Sequence, residues 1–93
     1  MSDDNLWKSL SFVMRSKNRI KVMKALVVPQ TPLSASKKTN LNIKSVSRAL
    51  IELSKENLVI CKTPNAKKGR IYVLTDKGKK LLKYFRESDT VRL

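Results

Sequence analysis

The sequence predicts a mainly α-helical fold carrying one β-hairpin, an α+β arrangement of four helices, two strands and a last helix. Three observations predict it. Up to residue 57 the apolar residues recur at helical spacings, whereas after residue 58 the period changes to two around a cluster of turn formers. Of the 93 residues, 41% are hydrophobic, enough to bury one core in a chain of single-domain size.

The elements follow in order. Leu6, Leu10, Val13 and Met14 lie at helical spacings behind Asp3, Asp4 and Asn5, which favour a helix N-terminus, so a helix is expected over residues 5–15. A second should start at residues 16–18 and run through Ile20, Met23, Ala25, Leu26 and Val27 until Pro29 and Pro32 end the pattern. Gln30 and Thr31 then form a short connection. Ser34 can cap a short helix through Lys38 or Thr39, and Asn40 tolerates the left-handed conformation that ends one. Asn42 is an N-cap candidate for a longer helix in which Ile43, Val46, Leu50 and Leu53 form one apolar stripe. That helix should end near Asn57, a second residue suited to positive φ.

Strands are expected at residues 59–63 and 70–74, which are rich in β-branched and aromatic side chains and flank Pro64, Asn65 and Gly69. Thr75 caps the final helix, with Asp76 in its first turn and Leu81, Leu82, Tyr84 and Phe85 along it. Gly78, early in that helix, costs ~1 kcal/mol relative to Ala, so it is expected to permit close backbone packing. The whole of 1–93 reads as one domain, with acidic tails at 1–5 and 87–93.

Composition narrows the function. There are 21 Lys and Arg against 7 Asp and Glu, a formal charge of +14, with no His and one Cys. Without His the commonest general base and the usual pH switch are missing, and one Cys can build neither an internal disulfide nor a thiolate metal cluster. No enzymatic activity, cofactor or metal is expected. Four acids lie near the ends, so residues 6–86 carry 20 bases against three acids, a net +17. Such a body attracts polyanions. The acidic start and the lack of a membrane-length apolar run point to a cytoplasmic, nucleoid-associated protein with no membrane partner, in which Cys61 stays reduced as a small buried hydrophobe.

Particular stretches carry a family resemblance. Asn40-Leu41-Asn42-Ile43-Lys44-Ser45-Val46-Ser47-Arg48-Ala49-Leu50 resembles the turn and recognition helix of the prokaryotic MarR and ArsR groups of winged helix-turn-helix transcription regulators. Asn57-Leu58-Val59 is similar to their entry to the wing, Leu74-Thr75-Asp76-Lys77-Gly78 to the opening of their last helix, and residues 16–26 to the ArsR-type helix before the motif. The resemblance covers residues 16–85 and implies a helix-turn-helix at 33–57, a wing at 58–75 and a C-terminal helix at 75–87. Asn57 stands where these groups usually have glycine. Ser36 and Thr39 replace Ala and a larger apolar residue, which suggests a short or loosely packed helix. The metal sensing of many ArsR relatives is not implied, because its ligands are missing.

An α-helix fits the major groove, and its N-terminal half aims polar and basic side chains at base edges. Asn42, Lys44, Ser45, Ser47 and Arg48 occupy that half, and Arg48 is the best candidate for a bidentate contact to guanine. Lys37, Lys38 and Thr39 would approach the phosphate backbone, while Lys67, Lys68 and Arg70 at the hairpin tip could reach an adjacent minor groove. Lys77, Lys79, Lys80 and Lys83 read as solvated.

Four of the five aromatics fall in the terminal helices, which suggests a homodimer through Leu6, Trp7, Leu10, Leu81, Leu82, Tyr84 and Phe85. The expected partner is double-stranded DNA, with any small-molecule effector unknown. Three readings stay open: a sequence-specific regulator, an architectural nucleoid protein with little base readout, and a protein-interaction or RNA-binding winged helix.

Overall fold

A computed structural model describes the backbone of residues 2–92 and the side chains of residues 6–84. The chain forms α1 (Ser2–Met14), α2 (Lys17–Ala25), α3 (Pro32–Thr39), α4 (Ile43–Lys55), β1 (Val59–Cys61), β2 (Tyr72–Leu74) and α5 (Asp76–Arg92). The order is the expected one, and the strands pair antiparallel with Val59 opposite Leu74 and Cys61 opposite Tyr72.

One core joins all the helices. Val13 of α1, Val22 and Met23 of α2, Ala35 of α3, Val46, Leu50 and Leu53 of α4, Leu58, and Leu81 of α5 are fully or almost fully buried. α4 lies against α2 and α3, and α5 closes the bundle against α1, α2 and β2.

Local chemistry sets the boundaries. Ser16 caps α2 by accepting the Arg19 N–H at 3.3 Å, and Asn42 caps α4 by accepting the Ser45 N–H at 2.8 Å. Thr75 accepts the Gly78 N–H at 3.1 Å and caps α5. Asn40 and Asn57 adopt positive φ, 63° and 61°, as their residue type anticipates. Asn57→Gly should therefore leave stability within about 1 kcal/mol of the parent, whereas Asn57→Val, forced into the same left-handed geometry, should lose about 1–2 kcal/mol in urea unfolding.

Several expectations are corrected. α2 ends at Ala25 with Leu26 as its C-cap, short of Val27. The chain must already leave the helical conformation before Pro29, because Val28 precedes a proline. α3 is capped by Thr31, not Ser34, and Pro32 opens it where proline's missing N–H costs nothing. Ser34 is the third residue of that helix, and its hydroxyl returns the capping bond to the Thr31 N–H at 2.9 Å. Gln30 is not merely a connection. Its backbone exchanges two hydrogen bonds with Tyr72, at 3.1 and 2.8 Å, adding an isolated bridge beside β2.

The strands are shorter than expected, three residues each, because from Lys62 onward the hairpin opens into its tip. α3 is short but not loosely packed: Ala35 is fully buried, and the Ser36 and Thr39 hydroxyls donate to the carbonyls of Leu41 and Ala35. Helical backbone continues through 2–5 and 87–92, where tails were expected. Asp3 and Asp4 suit a helix N-terminus, and no Gly or Pro follows Gly78 to stop α5.

Candidate nucleic-acid interface

The two faces of α4 differ sharply. Val46, Ala49, Leu50 and Leu53 are buried. On the opposite side Lys44, Arg48, Ile51 and Lys55 are all exposed, at spacings of four, three and four, which align them along one stripe. Ser47 lies half-buried beside this stripe, and Ser45 lies on its other flank. Burial in the core fixes the helix, so the outward stripe is presented rigidly.

Ile43, expected in the apolar stripe, is 46% exposed, and Ile51 is 56% exposed. Residue 43 opens the helix one turn before the core begins, so its side chain has little to pack against. Two isoleucines therefore join the outer surface of α4, along with Lys55. The sequence reading missed all three, although a helical projection centred on Val46, Ala49, Leu50 and Leu53 would have found Ile51 and Lys55.

The turn leading into α4 uses two of the expected contact residues for its own construction. The Thr39 hydroxyl donates to the Ala35 carbonyl at 2.7 Å and accepts the Leu41 N–H at 3.3 Å. Asn42 Oδ1 accepts the Ser45 N–H as the α4 cap, which leaves the side-chain NH2 as the donor not used by the cap. Lys37 and Lys38 are exposed in the last turn of α3, where positive charge also favours the helix dipole.

At the hairpin tip, Lys67, Lys68 and Arg70 are exposed. Arg70 Nε donates to the Ala66 carbonyl at 2.9 Å, Ala66 N–H donates to Thr63, and Gly69 takes φ +65°. The tip thus holds its own shape. Lys62 N–H donates to Ile71 at 2.7 Å where the hairpin opens.

A polar recess lies between the start of α2 and α4, lined by Ser16, Asn18, Arg19, Ser45, Arg48, Ala49 and Glu52. It brings two expected contact residues, Ser45 and Arg48, beside α2 residues that the sequence reading did not connect with them. Among the described residues, no group of three His, Cys, Asp or Glu is placed to hold a metal ion, and no helix is long and apolar enough to cross a membrane.

The proposed dimer residues separate into two sets. Leu10, Leu81 and Leu82 are buried in the protomer's own core, and Leu6 is half-buried against it. They hold α1 to α5 within one chain. Trp7 and Tyr84 instead remain 64% and 41% exposed, with ring centroids 6.2 Å apart. The Phe85 side chain lies outside the described residues. Lys77, expected to be solvated, donates from Nζ to the Glu56 carbonyl at 3.1 Å and ties α5 to the end of α4. Cys61 is a free, half-buried thiol, less enclosed than expected: it shares the core-facing side of β1 with the buried Val59, but it is the last residue of the strand, where the hairpin opens.

Three helices, a tight turn into a capped helix with a basic outer stripe, and a basic hairpin define a winged helix-turn-helix domain. The winged helix-turn-helix family model matches residues 15–92, and the chain belongs to that family. No curated protein sequence matches it. Among solved structures, it is similar to a MarR family transcription regulator, with a TM-score of 0.74 and 18% identity over 83% of this chain and 53% of that one. It is also similar to MarR from E. coli, with a TM-score of 0.69 and 24% identity over 88% of this chain and 63% of that one. A third match is the homodimeric winged helix-turn-helix domain of a possible ArsR-family regulator from Mycobacterium bovis. There the TM-score is 0.69 and the identity 14%, over 98% of this chain and 82% of that one. The chain spans about half the length of the first of these regulators. At these identities the likeness is one of fold.

Proposed function

We propose that the protein is a DNA-binding transcription regulator, non-catalytic, that places α4 in the major groove and the hairpin tip on the backbone or in the minor groove. The observation that carries this reading is the outward stripe of α4. Lys44, Arg48 and Lys55 give it positive charge, Arg48 supplies a fork that matches guanine O6 and N7, and Ile51 offers an apolar surface for a thymine methyl. Lys37, Lys38, Lys67 and Lys68 would then neutralise phosphates and hold the register. Work on DNA implies a place with the nucleoid, inside the cell.

The reading includes a homodimer. Trp7 and Tyr84 form an exposed aromatic pair at the junction of α1 and α5, the kind of surface enriched where proteins meet. A two-fold particle would present two α4 helices to a palindromic site. Light scattering at micromolar concentration is expected to give twice the chain mass for the wild type and the single mass for Trp7→Ala/Tyr84→Ala, with unchanged circular dichroism. A monomeric wild type removes the dimer.

Titration of labelled duplexes tests the DNA reading itself. Binding should weaken steeply with salt, in proportion to the number of phosphates contacted. If no duplex binds even at low salt, the fold serves as a protein-interaction or RNA-binding module instead.

A further inference from the structure

We infer that Arg19 is a positioning residue for nucleic-acid binding: it holds the Glu52 carboxylate away from Arg48 and so keeps Arg48 free for DNA. The inference rests on the DNA-binding reading above. It starts from a conflict written into α4. Arg48 and Glu52 are four residues apart on one helix, a spacing at which opposite charges ordinarily meet. Glu52 also places a negative charge on the recess that Ser45 and Arg48 line, beside the surface proposed to meet phosphates.

The structure resolves this conflict through α2. Arg19 Nε donates to Glu52 Oε1 at 3.0 Å, which makes the two an ion pair. Arg19 cannot readily leave. Its Nη1 donates to the Phe12 carbonyl at 2.7 Å, and its guanidinium lies 3.8 Å over the Phe12 ring. The Arg19 side chain is only 17% exposed, against 35% for Glu52, so the pair is formed from the interior side. Glu52 is held by Arg19, whereas Arg48, on the same recess, remains exposed. Within α4 the competing order, base before acid, is also the weaker one for a helical pair.

Arg19 therefore does two things. It cross-links α1, α2 and α4, and it neutralises the one acid on the recess. The second role predicts an effect on DNA affinity that stability alone does not explain.

Four proteins separate the roles: wild type, Arg19→Ala, Arg19→Ala/Glu52→Gln and Lys21→Ala, each titrated with one duplex at two salt concentrations and unfolded in urea. Arg19→Ala should weaken binding about tenfold, since the released carboxylate both pairs with Arg48 and repels phosphate. Adding Glu52→Gln should restore affinity to within about threefold of wild type, although the loss of stability persists because the Phe12 contacts are still missing. Lys21→Ala, which removes an exposed charge from the same helix, should weaken binding less than Arg19→Ala. The proposal is overturned if the double variant stays as weak as Arg19→Ala, or if Lys21→Ala is equally damaging. Failure of all four proteins to bind any duplex overturns the DNA reading, and this role with it.

Discussion

Replacing Gly78 with alanine should destabilise the domain by about 3 kcal/mol or more, one of the largest losses open to any single methyl group in this chain. The usual effect has the opposite sign. Alanine in a helix is favoured over glycine by ~1 kcal/mol, so an exposed helical glycine is normally improved by this change. Here a Cβ on residue 78 would stand 2.2 Å from the Leu58 carbonyl oxygen and 3.2 Å from its carbonyl carbon. The oxygen cannot yield, because it accepts the Thr75 N–H at 3.0 Å at the join between α4, β1 and α5. Relief would require moving α5 off the core and pulling Leu58 and Leu81, both fully buried, with it. Gly69→Ala is the matching control. Its Cβ would meet nothing within 4 Å, and it should lose only the roughly 1–2 kcal/mol that a left-handed φ costs an L residue. Urea unfolding of both variants gives the comparison, and a Gly78→Ala protein as stable as wild type would contradict this packing.

Arg48→Ala should cost about 1–3 kcal/mol of binding to a preferred duplex, and much less to random sequence, while leaving the fold intact. Arg48 is exposed on α4 and buries nothing, so its removal opens no cavity. Its guanidinium stands on the outer stripe between Lys44 and Ile51, in the part of α4 that a groove would enclose. A bidentate base contact predicts selective loss. Equal weakening on every duplex would make Arg48 a phosphate contact and move the protein toward an architectural role. Unchanged affinity would place α4 away from the DNA.

The elements whose signals are local were legible in the sequence. Asn40 and Asn57 could be read as left-handed caps because few other residues tolerate that geometry, and Asn42 and Thr75 as N-caps because their side chains satisfy free N–H groups. Gly78 was legible as a close-packing position because glycine there otherwise only weakens the helix. Features that depend on tertiary placement were not. Gln30 joins Tyr72 through a one-residue bridge that has no periodicity of its own. Ser34 looks like a cap but is the reciprocal half of one that Thr31 begins.

The candidate site shows the same division. Lys44 and Arg48 could be chosen from their position on the helix and their charge. Thr39 was chosen too, yet its hydroxyl is spent on the turn. Arg19 was invisible among many bases because its meaning lies in Glu52 and Phe12, which are distant in sequence and adjacent in the fold. The terminal helices gave one list of apolar residues, and only burial separated the core leucines from the exposed Trp7 and Tyr84.

Selection of bound duplexes from a random pool, followed by titration of the winner against unselected DNA at the same salt, tests the central claim most directly. A sequence-specific dimer should enrich a two-fold-related site and bind it about 10³-fold or more tightly than random duplex. Equal affinity for selected and unselected duplexes, or binding to neither, would contradict that claim.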